Sequence, residues 1–514
     1  MVRHMLAADL VRRGAARFAG RIAVHFEDRS LTYAEVDEAA NRLAHVLAGL
    51  GVSRGDRVGL LLGNGLWSVS VDFACLKAGV ARVPLNGRLS AAEHTRMLRD
   101  TGVTLLVYGP ELAERALELG SSVAGLRLAC LGESKDADHL DLMAAMRGAS
   151  AADPMLPAAP DDVILILYTS GTTGTLKAAQ HTQASYAAIT ANILSNLVSP
   201  GRDDVMLHAA SLIHASGTFV LPYWVRGGAS VVLGGFDPDE YLAAIPRYGV
   251  TAVNLVPTML GMLFTEGRAE RADLARLSTV VYGASPMPRP LIEHALDAWG
   301  PRFVQYFGQT EAPLCVTVLD KDDHAEGGAL LGAAGHPAVD VQLALTDEGG
   351  APVAAGEIGE VRVKAPFAMT GYYNEPGLTA QSLGPDGWVR TRDLARFDDR
   401  GYLHLVDRTS DMIITGGYNV YPREVEDALA SHPAVAQCAV VGAPDPVWVE
   451  AVTAFVTLRA GAEVSEAALR EHVRARLAGY KVPKTVHFVD TIPYSPVGKI
   501  LRRALRDPLW EGER

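Results

Sequence analysis

The sequence predicts an α/β protein. It should have a large N-terminal part built from two doubly wound α/β subdomains and a small β-barrel, followed by a small α+β unit. Three observations predict this. Short apolar runs alternate with amphipathic helical stretches from residue 32 to residue 282, the pattern of mostly parallel sheets wound with crossover helices. Between 332 and 404 the pattern changes to short alternating strands with Gly turns, such as Gly359-Glu360-Val361-Arg362-Val363, as expected of a small barrel or antiparallel sheet. Beyond residue 408 helices and strands alternate again in a stretch short enough for one small unit. The division is therefore expected at 1–408 and 409–514, within the two to four domains that 514 residues allow.

In chain order, Thr32 and Glu35 form a capping box. The helix behind it would bury Val36, Ala40, Leu43, Leu47 and Leu50 and end at Gly51. Residues 58–62 are a short buried strand. Asn64-Gly65 then turns the chain into a helix through Phe73 and Leu76 that stops at Gly79, and 103–107 is the next strand. Residues 148–160, rich in Ala and Pro, read as a linker. Val163-Ile164-Leu165-Ile166-Leu167 has no polar break and reads as a buried strand. A helix is expected at 183–197, its amide-rich N-terminus behind the polar loop that follows that strand. Further strands are expected at 205–210, 231–233, 252–255 and 280–282. The last unit should hold helices at 423–431 and 465–477, strands at 435–441, 452–458 and 486–489, and a Pro/Gly loop at 493–499.

Composition excludes some functions. A net charge of −12 argues against nucleic acid or an anionic membrane as a bulk partner. Cys75, Cys130, Cys315 and Cys438 lie far apart with no Cys-x-x-Cys pair, so neither a zinc site nor a redox pair is suggested. Reduced thiols of this kind suit the cytoplasm. The opening MVRHMLAADLVRRG lacks the apolar core of a signal peptide, and no apolar run approaches the roughly 20 residues of a membrane span.

The chemistry begins after residue 167, in Tyr168-Thr169-Ser170-Gly171-Thr172-Thr173-Gly174-Thr175-Leu176-Lys177. Gly171 and Gly174 let the backbone bend and bring its N–H groups to an anion. The hydroxyls add donors and Lys177 adds a positive charge, which together suit a phosphate. The glycine spacing is not that of the Walker loop. A second stretch, Gln305-Tyr306-Phe307-Gly308-Gln309-Thr310-Glu311, follows a strand. Beside a phosphate loop, Thr310 can bond a phosphate oxygen, Glu311 can hold Mg2+, a hard cation that prefers oxygen ligands, and Tyr306 offers a flat face for adenine.

The ten-residue string resembles the phosphate-loop signature of the adenylate-forming superfamily, which includes acyl- and aryl-CoA synthetases, luciferases and peptide-synthetase adenylation domains. Tyr306 to Glu311 is similar to that superfamily's YGxTE motif, with Phe307 at the aromatic position. Tyr282-Gly283-Ala284-Ser285-Pro286 resembles its adenine-side loop. Trp388 to Leu394 resembles YRTGD, which gives Asp393 to the ribose hydroxyls and puts Arg392 where Gly is commoner. Residues 407–422 resemble the hinge and glycine-rich loop that open the small domain. There the resemblance implies that Arg408 meets ribose or phosphate, that Ser410 is the pivot in place of Asp or Lys, and that Gly416, Gly417 and Tyr418 border a pantetheine tunnel. The ending 493–500 resembles PxSxxGKI and gives Lys499 the ammonium that offsets charge when a carboxylate attacks an α-phosphate. His214 and Ser216 would line the acid tunnel. No Asp accompanies His214, unlike domains that pair an α-ammonium, and Ser211 and Gln183 depart from the usual pattern near that pocket.

These motifs keep the superfamily's order from about residue 31 to residue 502. The resemblance implies catalysis by Lys499, His214, Thr310 and Glu311, with ATP, Mg2+ and CoA. An aryl or medium- to long-chain acid would become an acyl adenylate and then a CoA thioester, with the small domain rotating between the steps. Two alternatives stay open: adenylation of nitrite for transfer to an aryl amine, and nucleotide binding without catalysis. A homodimer is among the assemblies the resemblance allows.

Overall fold

Two largely parallel sheets, the first closed at one edge and the second at both edges by antiparallel strands, organise most of the chain. The computed structural model describes residues 5–511 except 88, 134–137, 171–175, 214, 286, 409–410, 416–417, 446–447 and 495–498, and the side chains of all but 170, 266, 408 and 449 among the rest.

The first sheet runs, in spatial order, Leu140–Asp141, Arg127–Cys130, Leu105–Tyr108, Arg57–Leu61, Ala81–Pro84, Val163–Ser170, Leu176–Thr182. Its neighbours pair in parallel except the last two, which are antiparallel with Ser170 opposite Leu176. The second sheet runs His336–Pro337, Ala312–Leu319, Phe303–Gln309, Thr279–Tyr282, Ala252–Leu255, Val205–His208, Ala229–Val232, Ile22–Phe26, Arg29–Thr32. Its centre is parallel, and Phe303–Gln309 with Ala312–Leu319 forms its antiparallel hairpin. Central strands such as Leu105–Tyr108 are buried along their whole length, which is why they read as unbroken apolar runs.

The helices form where capping and spacing place them. Thr32 and Glu35 make the reciprocal cap of Tyr33–Gly49, which buries Val36, Ala40, Leu43 and Leu47. Ser68–Ala78 stops at Gly79, whose φ of 64° is left-handed. The sequence pattern gave no assignment to Ala7–Phe18, Ile22–Phe26 or Arg29–Thr32. The two strands complete the second sheet, with Val24 opposite Ser230. The helix is tied down by Trp224, whose indole donates to Val11 O at 2.8 Å and stacks on Tyr33 at 4.2 Å.

The stretch expected as a linker is pinned rather than loose. The Asp153 carboxylate accepts from Arg12 Nε at 3.0 Å and from Lys77 Nζ at 3.0 Å, and Lys77, only 1% exposed, also reaches Asp37 at 2.6 Å and Asn41 at 2.7 Å. A buried ammonium is tolerable only when its donors are matched this fully.

Four antiparallel strands, Gln342–Thr346, Gly359–Lys364, Val389–Phe397 and Leu403–Arg408, make the third sheet. They pair in linear order, the antiparallel-sheet form of the two expected. The last sheet lies beyond residue 412. It holds Tyr418–Val420, Ile413–Thr415, Val449–Leu458 and Val435–Asp445 in order, with Thr485–Phe488 parallel to Val449–Leu458. Helices Pro422–Ala430 and Glu466–Arg474 cover it, and Val425, Leu429, Val452, Leu469 and Val473 form a core of its own. The four cysteines are buried and form no disulfide with one another. Among the described residues no helix is long and apolar enough to cross a membrane.

Candidate functional site

The polar loop at 171–175 lies at the tip of a hairpin, between Val163–Ser170 and Leu176–Thr182. This corrects the expectation that a helix N-terminus stands behind it. Gln183–Asn196 starts only after the seven-residue return strand, at the hairpin's opposite end, and its first turn is capped by the Thr182 hydroxyl. Gly171, Thr172, Thr173 and Gly174 lie outside the described residues, as does the Ser170 side chain. Thr169 is half-buried and sits opposite Lys177. Lys177 is buried, with Nζ 5.8 Å from the centre of the Tyr372 ring.

Thr310 and Glu311 form the two-residue turn of the second hairpin, between Gln309 and Ala312. Gly308 is required there, because a Cβ would fall 2.1 Å from Leu314 O. Glu311 Oε1 accepts from the Tyr372 hydroxyl at 2.6 Å, and Glu311 O accepts from Met369 N–H at 2.8 Å. Thr310 O faces His181 Nε2 at 2.9 Å. A carbonyl can only accept, so His181 carries its proton on Nε2. Burial pushes the His181 pKa down to about 4 despite that bond. The structure thus brings Lys177, Thr310 and Glu311 to one place, through Tyr372 and His181.

The adenine-side loop leaves Thr279–Tyr282 at the carboxyl ends of the parallel strands, where open α/β sheets form their crevice. Ala284 adopts a left-handed φ of 69°, and Ala284 and Ser285 are half-buried. Here the expectation for Tyr306 is corrected. Tyr306 is 4% exposed, lies under Gly283, where a Cβ would come within 2.9 Å of its ring, and bonds Asn254 through its hydroxyl. Burial pushes that hydroxyl up to about 12. No ring face is left for adenine. Alternation along the strand puts Phe307 on the other face, where it is half-buried. Gln305, which the resemblance places among the nucleotide-binding residues, is turned to the protein instead. Its Oε1 accepts from Tyr282 Oη at 2.9 Å and its Nε2 donates to Ala333 O, so its side chain braces the strand.

Asp393 is buried on Val389–Phe397 opposite Arg408, and its N–H donates to the Thr391 hydroxyl at 3.1 Å. Arg392, where the motif prefers Gly, takes a left-handed φ of 62°, the conformation Gly adopts without cost. The Arg408 side chain and all of His214, Ser410, Gly416 and Gly417 lie outside the described residues. Ser216 is buried, with its hydroxyl 3.0 Å from His208 Nδ1. Gly217 admits Leu212 O within 1.8 Å of where a Cβ would be, so no larger residue fits there. Gln183 is not a pocket residue, contrary to expectation. It accepts from Ala8 N–H at 3.0 Å and donates to Leu76 O at 2.8 Å, joining three helices.

On the last sheet, Tyr418 is exposed and stacks on Tyr480 at 4.7 Å. Lys499 is half-buried beside the Tyr494–Ile500 bridge, and Leu501 N–H donates to Pro493 O. The sequence pattern missed Tyr372, His181, His208 and Asn254. Tyr372, His181 and Asn254 act through neighbours distant in the chain, which no local spacing announces, whereas His208 bonds Ser216 eight residues on.

Lys177, on one hairpin, and Glu311, on the turn of the other, are both held by Tyr372, and the strand Thr279–Tyr282 ends nearby in sequence order at the carboxyl ends of the parallel sheet. That arrangement defines a nucleotide-handling α/β enzyme with an appended small domain. The comparisons carry this further: residues 11–373 match the AMP-binding enzyme family and residues 424–499 match the AMP-binding enzyme C-terminal domain, so the chain belongs to this adenylate-forming family. It is 40% identical over 488 residues to a feruloyl-CoA synthase of Amycolatopsis sp, covering 94% of this chain and 95% of that protein. It is 38% identical over 499 residues to a medium/long-chain-fatty-acid–CoA ligase of Mycobacterium tuberculosis, covering 94% and 87%. Among solved structures, the amide bond synthetase McbA from Marinactinospora thermotolerans matches with a TM-score of 0.89 at 32% identity, covering 98% of this chain and 99% of that one.

Proposed function

We propose that this protein is an ATP-dependent, AMP-forming ligase that activates an aryl or medium- to long-chain carboxylic acid and transfers it to CoA. The observation that carries the reading is the convergence of Lys177 and Glu311 on Tyr372, which sets a cation and a hard-oxygen ligand side by side at the tips of two hairpins. The CoA-ligase relatives support the same chemistry. They do not favour the nitrite alternative.

In the first step a carboxylate oxygen of the acid bonds to the α-phosphorus of ATP while the bond from that phosphorus to the bridging oxygen breaks, releasing pyrophosphate. Lys177 and the 171–175 loop bind the departing phosphates, Thr310 donates to a phosphate oxygen, and Asp393 accepts from the ribose hydroxyls. Phe307 and the Gly283-Ala284-Ser285 loop hold the adenine. Glu311, a half-buried carboxylate, fits Mg2+, which when bound would neutralise charge on the phosphates. Lys499 offsets the charge as two anions approach. In the second step the CoA thiol sulfur bonds to the acyl carbon, AMP leaves, and the thiol proton passes to solvent. We assign 1–408 and 409–514 as the two units that reorient between steps about Ser410. Lys499 faces the site in the first step, and Gly416 and Gly417 face it in the second. His214 and Ser216 line the acid tunnel. The buried, disulfide-free cysteines support a cytoplasmic setting.

One screen tests this. ATP and Mg2+ are supplied with aliphatic acids, aryl acids or nitrite, each with CoA or an aryl amine, and products are identified by mass spectrometry. The expected products are AMP, pyrophosphate and an acyl-CoA. AMP release that never responds to CoA, or that gives only amide, would overturn the assignment of the acceptor. Lys499→Ala should lose about a hundredfold in pyrophosphate exchange yet still make thioester from supplied acyl adenylate.

A further inference from the structure

The turn that carries Glu311 is held from outside its own hairpin. Residues 369–373 form a strap laid along Leu176–Thr182. Thr370 N–H donates to Gln180 O at 3.0 Å, Gln180 N–H to Gly371 O at 3.0 Å, and Tyr373 N–H to Ala178 O at 2.8 Å. The same strap reaches the second hairpin twice, through Met369 N–H to Glu311 O at 2.8 Å and through the Tyr372 hydroxyl to Glu311 Oε1 at 2.6 Å. His181, on the same strand, donates to Thr310 O. The ring of Tyr372 meanwhile sits at cation–π distance from Lys177, 5.8 Å.

We propose that Tyr372 is a positioning residue that orients the Glu311 carboxylate toward Mg2+ and ties its place to that of Lys177, with His181 fixing the same turn through Thr310 O. This rests on the reading of Glu311 given above. A carboxylate on a two-residue turn can rotate about its side-chain bonds. One hydroxyl bonded to Oε1 stops that rotation and leaves the lone pairs of Oε2 for a cation. Because the strap is zipped to the strand that carries Lys177, metal ligand and phosphate-binding cation are set by one rigid element. Their separation then does not depend on how the two sheets pack. A carboxylate with its own outer partner is also how metal ligands are ordinarily held.

The test uses Tyr372→Phe, which keeps the ring and the strap and deletes only the hydroxyl. Mn2+ is titrated into the protein with a non-hydrolysable ATP analogue, and bound metal is read by electron paramagnetic resonance. Wild type, Tyr372→Phe, His181→Leu and Glu311→Gln are compared, together with melting temperature and acyl transfer from supplied adenylate. Tyr372→Phe should weaken Mn2+ by about 10- to 100-fold. Melting should shift by no more than about 2 °C, and transfer to CoA should stay within about twofold of wild type. His181→Leu should weaken Mn2+ in the same direction by a smaller factor. Unchanged metal affinity in Tyr372→Phe, with Glu311→Gln still defective, would overturn the positioning role alone. Unchanged affinity in Glu311→Gln would overturn the metal assignment beneath it. A fall in melting temperature with equal loss in every step would reduce Tyr372 to a structural residue.

Discussion

The two hairpins that meet at the site are built to opposite designs. The first returns through five residues, Gly-Thr-Thr-Gly-Thr, between Ser170 and Leu176, and depends on backbone freedom and hydroxyls. The second returns through two, Thr310 and Glu311, and its carbonyls and carboxylate are bonded by His181, Met369 and Tyr372. A loop that closes around a phosphate must present many N–H groups, so it needs length and glycine. A ligand for a small hard cation must stand still, so it needs a short turn and outside partners. On the proposed reading, the chain would separate adaptable binding from fixed coordination, and the strap at 369–373 bonds to both hairpins.

The sharpest way to break the second design is Gly308→Ala. The added Cβ would overlap Leu314 O, so the hairpin tip must shift. Stability should fall by about 4 kcal/mol, with pyrophosphate exchange lost, as read by chemical denaturation and exchange assay. Lys177→Ala probes the first design. Exchange should drop about a hundredfold while Mn2+ affinity without nucleotide stays unchanged; loss of both would mean the hairpins are not separable.

A change outside both hairpins sharpens the contrast. Burial alone would raise the Asp153 pKa, but bonds from Arg12, Met155 N–H and Lys77 hold it down at about 2. Its folded pKa lies below the unfolded value, so its contribution is complete above about pH 4 and fades as pH falls toward 2. Asp153→Asn should therefore cost about 2 kcal/mol at pH 7 and much less near pH 2.5, without altering nucleotide or metal affinity. The smallest effect is expected for Arg392→Gly. Relief of a left-handed backbone, partly cancelled by the entropy of glycine, should raise stability by about 0.5 kcal/mol in a denaturant series.

How much of this was legible beforehand varies by region. The capping box at Thr32 and Glu35 was readable because a helix start is written in four adjacent residues. The stops at Gly51 and Gly79 were readable for a similar reason, both being left-handed glycines. The helix N-terminus expected behind the phosphate loop was misplaced, because an apolar run followed by Gly and Thr looks the same before a helix as before a returning strand. Tyr306 was misjudged because which of two adjacent aromatic residues faces a crevice is a matter of sheet register. Gln183 was placed at the pocket from sequence neighbours, whereas it is buried among three helices.

By itself the sequence determined the alternating α/β order, the chemistry of the 168–177 string and the acidic turn, and the order of motifs that marks the family. These follow from residues adjacent in the chain, where propensity and spacing act directly. Only the tertiary structure decided that Tyr372 joins Lys177 to Glu311, that His181 supports Thr310, and that Asp153 pins the 148–160 stretch. Each of those joins residues at least 61 positions apart, 129 for His181 and Thr310 and 76 for Lys77 and Asp153. Such pairs are brought together by burial and sheet pairing, which no local pattern encodes.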